Sequence, residues 1–181
     1  MKIAVIGYSG AGKSTLAKTL SDIYGCPLMY LDTVQFLPGW AERPKKDGIA
    51  IVDRFMENKD WVIDGNYHSF RQEQRLEQAD RIVFMDFPRL TCLRQAYGRY
   101  LRNRRRTRES MADGCEEKFD FEFFKWILFD GRDSRHRAHY QNICRVYAGK
   151  VTICRNRKDA DAFVQRCRKE NCTKPDASSV G

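Results

Sequence analysis

The densest chemistry in the chain lies in nine consecutive residues, Gly7-Tyr8-Ser9-Gly10-Ala11-Gly12-Lys13-Ser14-Thr15. They match G-x-x-x-x-G-K-S/T, the Walker A pattern. Glycines at this spacing let successive N–H groups point into one concavity, which suits a chain of phosphates. A helix starting near Gly12 adds its positive N-terminus. Lys13 can reach the β- and γ-phosphates, and the Ser14 hydroxyl can ligate Mg²⁺. Gly7, Ser9, Gly10, Ala11, Gly12, Lys13, Ser14 and Thr15 are therefore the candidate nucleotide-binding residues, with ATP or GTP and Mg²⁺ implied.

Such a loop needs a carboxylate on a nearby strand end to orient the metal or its waters. Trp61-Val62-Ile63-Asp64 and Ile82-Val83-Phe84-Met85-Asp86 both have that form. Asp64 is preferred, because Gly65 beside it allows a ligand to approach. Asp86 precedes Phe87-Pro88, where capping the next helix is the plainer role. Asp32 could hold or deprotonate an acceptor hydroxyl, or it could be a turn aspartate.

Arg99, Arg102, Arg104, Arg105, Arg106 and Arg108 fall within ten positions, and Arg132, Arg135 and Arg137 follow a polar stretch. The arginine fork suits bidentate phosphate contact. Two such groups flanking a polar segment suggest a hinged lid over about 102–131 that closes on a triphosphate. A solvated helix face or a nucleic-acid patch along Arg99–Arg108 is the alternative. Tyr97 and Tyr100 could stack bases, but their helical spacing suits packing better. The aromatic segment Phe119–Phe129 reads as a buried helix, or else as a dimer face or a wall for a nucleobase. His68, His136 and His139 form no metal-ligand pattern and read as surface or capping residues.

The elements that must position these groups alternate. Apolar runs at 3–6, 28–31, 61–63, 81–85 and 151–154 read as strands. Amphipathic stretches at 13–24, 46–58, 70–78, the segment after Pro88, 119–129, 134–148 and 158–169 read as helices. Pro38, Gly39 and Pro44 mark an irregular stretch. The expectation is an α/β fold with a five-stranded parallel sheet and helices on both faces. Ligands in such sheets bind at the carboxyl ends of the strands, where Asp32, Asp64 and Asp86 are expected. One domain is expected over 1–170, with a disordered tail over 171–181.

Composition excludes several classes. The chain has 181 residues, 42% hydrophobic and 31% charged, which is wrong for a disordered or collagen-like protein. No apolar run approaches the ~18 residues of a membrane helix. The net charge of +9 points to anionic partners. Seven cysteines, an odd number without CxxC spacing, suggest neither a disulfide framework nor a zinc site. With no signal-peptide pattern, a cytoplasmic location is expected.

The loop, Asp64-Gly65, Asp86-Phe87-Pro88 and Gly98-Arg99 together resemble the small P-loop kinases, the group that includes adenylate, shikimate and gluconate kinases. The resemblance covers about residues 1–170. It implies a three-layer P-loop NTPase fold in which Arg99 contacts ATP phosphates and Arg132 and Arg135 act as post-lid arginines. His68 stands where adenylate kinases carry an arginine for a monophosphate acceptor, and Gln95 stands where they carry a first lid arginine. Arg71 or Arg75 could substitute, or the acceptor could lack a phosphate. Further segments are similar to the DNA topology modulation proteins: Tyr30-Leu31-Asp32, Pro38-Gly39-Trp40, Trp61 to Tyr67, Arg75 to Asp80 and Gly114 to Asp120.

These resemblances imply ATP-dependent transfer of a phosphoryl group to a small molecule. Lys13, Asp32, Asp64, Arg99, Arg132 and Arg135 would be catalytic. Asp32, Asp64, Gly65, Asn66, Tyr67, Arg71 and Arg75 would shape the acceptor site, and Ser14 with Asp64 would hold Mg²⁺. The protein could be a monomer or a homodimer. A nucleotide-gated nucleic-acid-binding protein is the rival expectation. Arginines converging over the loop would favour the kinase, and arginines on an outer face would favour nucleic acid.

Overall fold

The structure is a computed structural model, describing residues 1–103, 110–112, 114–115 and 119–172. Strand β1 (Lys2–Gly7) is buried along nearly its whole length, as its unbroken run of apolar residues requires. It pairs in parallel with β5 (Trp61–Asp64) on one side and β6 (Arg81–Met85) on the other. β2 (Leu28–Tyr30) flanks β5, and β7 (Val151–Cys154) flanks β6. The five parallel strands therefore run in the order β2-β5-β1-β6-β7. This is the expected α/β sheet, with helices packed on both faces.

The helices bury narrow stripes. α1 (Lys13–Tyr24) buries Leu16, Ala17 and Leu20, and ends at Gly25 in the left-handed conformation. α3 (Lys45–Met56) buries Gly48, Val52 and Met56 at i, i+4 spacing. A Cβ on Gly48 would lie 2.6 Å from a ring carbon of Phe70, so glycine is what lets that ring pack. α5 (Arg89–Arg102) turns the small residues Cys92 and Ala96 inward. α4 (Gln72–Gln78), α7 (Ser134–Val146) and α8 (Arg157–Cys172) complete the layers. α8 extends to Cys172, two residues into the stretch expected to be a tail. The rest of that stretch lies outside the described residues. No helix among the described residues is long and apolar enough to cross a membrane.

Three expectations need correction. The second strand ends at Tyr30, and Asp32 lies in the first turn of a short helix, α2 (Leu31–Gln35), instead of closing the strand. The stretch read as irregular contains a small antiparallel hairpin of β3 (Phe36–Leu37) and β4 (Ala41–Glu42). The aromatic helix α6 (Phe121–Leu128) is amphipathic rather than buried. Ile127 faces the core, while Phe121 is 76% exposed.

Gly7 is the tightest point of the sheet. Its φ is +138°, and an added Cβ would lie 2.8 Å from the backbone N of Met85 on β6, with the Met85 carbonyl closer still. Gly7→Ala is therefore expected to lower stability by about 3 kcal/mol, combining left-handed strain with a backbone clash. Urea unfolding checks this, and an unchanged midpoint would contradict it.

Candidate active site

The carboxyl ends of β2, β5 and β1 open into one cleft of about 1730 Å³. Its floor is the loop between β1 and α1. Gly10 and Gly12 take φ of +81° and +90°, the left-handed turns that glycine allows. The Gly10 Cα faces the Cys92 carbonyl of α5 so closely that a Cβ would clash with it. Lys13 Nζ donates to the Tyr8 carbonyl at 3.2 Å, which keeps the ammonium at the loop.

A side-chain amide fixes the start of the loop. Asn66 Oδ1 accepts from the Gly7 N–H at 2.9 Å, and Asn66 Nδ2 donates to the Gly7 carbonyl at 2.6 Å. The Tyr140 hydroxyl donates to the same carbonyl at 3.3 Å. Asn66 was expected to shape the acceptor site. It lines the cleft, but its amide is used on the loop.

Arg75 shows a similar change of role. Its side chain is fully buried and donates to the carbonyls of Phe70 at 2.7 Å, Gly65 at 3.3 Å and Tyr67 at 2.9 Å. Burial lowers its pKa to about 10, opposed by the Asp64 carboxylate. The guanidinium therefore remains charged near neutral pH. It organises the segment after β5 and does not line the cleft.

Arg71 is also outside the cleft, in a bidentate pair with Asp53 at 2.9 Å. Arg132, expected at the phosphates, is only 7% exposed. It stacks 3.6 Å from the Tyr8 ring centroid and donates to the Phe87 carbonyl at 2.6 Å. It braces the loop instead of lining the cleft. Arg135 does line the cleft, as do Arg94, Arg99 and Arg102. Arg104, Arg105, Arg106 and Arg108 lie outside the described residues.

On the acceptor side the Tyr67 hydroxyl donates to Asp32 Oδ1 at 2.8 Å. Burial, and then the Asp32 charge, push the Tyr67 pKa up, so its phenol stays protonated and keeps donating. Asp64 is 5% exposed, and it lines the cleft with Gly65, Ser14 and Asp32, whereas Asp86 does not. Burial pushes the Asp86 pKa up, against Arg132 and Arg155. Of the two candidate acids, Asp64 is the one on the cleft wall. Hydroxyl and carboxylate oxygens are the hard donors that Mg²⁺ accepts. Among the described residues no cluster of His, Cys, Asp and Glu forms a fuller metal cage.

Further side chains complete the cleft and its surroundings. Trp126 of α6 donates its indole N–H to Ser9 Oγ at 3.2 Å, tying α6 to the loop. Phe36 and Trp40 of the hairpin pack edge to face at 5.2 Å, and Trp40 has φ +68°, strained for a non-glycine residue. Cys115 Sγ donates to the Leu37 carbonyl at 3.4 Å. Tyr97 and Tyr100 pack on Phe119, at 5.3 and 6.0 Å, as their helical spacing suggested. His68, His136 and His139 also line the cleft. Of the three, only His68 carries a sequence signal, through the resemblance that sets it where an acceptor-binding arginine would stand.

No protein-family model and no curated protein matches the sequence. Among solved structures, a shikimate kinase from Bacteroides thetaiotaomicron is similar, with TM-score 0.55 and 18% identity, covering 94% of this chain and 97% of that one. A deoxyadenosine kinase from M. mycoides has TM-score 0.51 and 12% identity, covering 96% and 100%. A gluconokinase from Sinorhizobium meliloti has TM-score 0.51 and 14% identity, covering 93% and 94%. At these identities the likeness establishes the fold, the three-layer α/β fold of the P-loop kinases.

Asn66→Asp replaces the amide donor facing the Gly7 carbonyl with a second acceptor. It is expected to cost about 2 kcal/mol of stability and to weaken nucleotide binding. Arg71→Ala should change nucleotide binding less than twofold and stability by about 1 kcal/mol at most, since exposed ion pairs contribute little. Calorimetric titration with ADP and urea unfolding check both. Loss of ADP binding in Arg71→Ala would contradict this placement.

Proposed function

We propose that this protein is an ATP-dependent kinase that transfers a phosphoryl group to a small molecule. The observation that carries the reading is the shared cleft. The phosphate loop, three α5 arginines and the Asp32–Tyr67 pair all line it.

In this reading the loop N–H groups and the Lys13 ammonium bind phosphate oxygens and offset the charge that develops on the transferring group. Arg94, Arg99, Arg102 and Arg135 add positive charge on the lid side. Asp32 accepts the proton of the acceptor hydroxyl, and Tyr67 keeps its carboxylate oriented by donating to one oxygen. Asp64 and Ser14 would hold Mg²⁺, which when bound supplies charge neutralisation at the phosphates. The hairpin and α6 would exclude water.

Arginines that line the loop's own cleft favour the kinase over a nucleic-acid-binding protein. The sequence likeness to DNA topology modulation proteins fits either reading and names no acceptor.

The test is ADP release from Mg·ATP across a panel of nucleosides, nucleoside monophosphates and small hydroxyl metabolites. We expect acceptor-dependent release. Lys13→Ala should lower kcat about 100- to 1,000-fold by removing charge stabilisation. Asp32→Asn should lower acceptor-dependent turnover by about 100-fold or more, with nucleotide affinity retained. Slow release that ignores every acceptor, with Asp32→Asn equal to wild type, would overturn the proposal.

A further inference from the structure

The chain has three histidines, and all three line the phosphate-loop cleft. His136 is used locally. Its ring nitrogen meets Asp133 Oδ1 at 2.8 Å, and its backbone N–H is capped by the same oxygen at 2.7 Å. His68 and His139 instead face each other, with ring centroids 6.0 Å apart. They come from different elements. His68 follows Tyr67, which holds Asp32, and His139 precedes Tyr140, which reaches the Gly7 carbonyl. The two rings therefore join the segment after β5 to helix α7.

Among the described residues neither ring has a carboxylate partner. Arg135, one turn earlier on α7, lines the same cleft. Asp32, Asp64, Asp120 and Glu122 line the same cleft, but among the described residues none pairs with either ring, and two imidazoles beside a guanidinium are suited to an external anion. The nucleotide phosphates already have the loop N–H groups, Lys13 and the α5 arginines.

We propose that the phosphoryl acceptor carries an oxyanion group, gripped by His68 and His139 with Arg135 alongside. This rests on the kinase reading of the cleft. It adds a pH dependence that an arginine in their place would not have. Burial, then the charges of His68 across the cleft and His136 on its own helix, hold the His139 pKa below the usual histidine value. His136 is itself held by Asp133, and Arg135 adds further positive charge. The His139 ring is therefore neutral at pH 7. A bound dianion favours its protonated form, so binding takes up a proton and affinity rises as pH falls.

The test uses the full chain saturated with Mg·ADP, so that the phosphate loop is filled. Sulfate is the probe, because it stays a dianion over the range needed. The imidazole resonances are followed by NMR and assigned with His68→Asn and His139→Gln. The His68 and His139 signals should shift together and saturate, with His136 little changed. Sulfate affinity should rise as pH falls toward the lowered His139 pKa, by at most about tenfold per pH unit. His139→Gln should weaken sulfate roughly 10- to 100-fold. A parallel acetate titration separates the sources: a response to acetate alone supports a carboxylate acceptor, and a response to sulfate supports a phosphate ester. No response to either anion in ADP-loaded protein, or a response that ignores pH, would overturn the proposal while the kinase reading stands. Failure to bind Mg·ADP would overturn both.

Discussion

The structure depends on how one glycine is held. Gly7 ends the central strand, and its missing side chain lets β6 approach so closely that no other residue fits. Its N–H and carbonyl are both taken by Asn66, and the carbonyl also by Tyr140. That carries strand β5, strand β1 and helix α7 to a single point. The loop leaves this point with its direction set, before any phosphate binds. Preorganised donors need not reorient as charge develops, which is where such sites gain most of their effect.

The supporting arginines act on the same geometry. Arg75 spends its donors on three carbonyls after β5, fixing the segment that presents Asn66, Tyr67 and His68. Arg132 stacks on Tyr8 and bonds to the chain entering α5, so the turn between α6 and α7 braces the loop. Burying a guanidinium is costly unless its donors are used, and carbonyls on irregular backbone need partners in turn. The basic surplus of the sequence is therefore divided between framework arginines and those that face the cleft.

Much of this was legible in the sequence. The apolar runs gave the strands because a strand buried on both faces leaves little choice of residue, and the phosphate loop was legible because its glycines and lysine answer to backbone geometry. Asp64 and Asp32 were recognisable as cleft acids, though Asp32 was misplaced at a strand end, since a five-residue helix leaves almost no periodic signal. Arg71, Arg75 and Arg132 were misread for a different reason. Residue type cannot tell whether a guanidinium reaches a ligand, a surface carboxylate or a buried carbonyl. The histidine pair was missed because its members are far apart in the chain and meet only through the packing of α7 over the loop. In the aromatic segment hydrophobic content favours a buried helix over a dimer face or a nucleobase wall, while the one-sided pattern is what leaves Phe121 exposed.

The central claim is that the cleft is a preformed nucleotide site. Calorimetric titration with ADP in the presence of Mg²⁺, on wild type and on Lys13→Ala, tests it most directly. The account predicts one site per chain for wild type, with affinity reduced at least tenfold when the ammonium is removed. Absence of binding to the folded wild-type protein, or equal affinity in the variant, would contradict it.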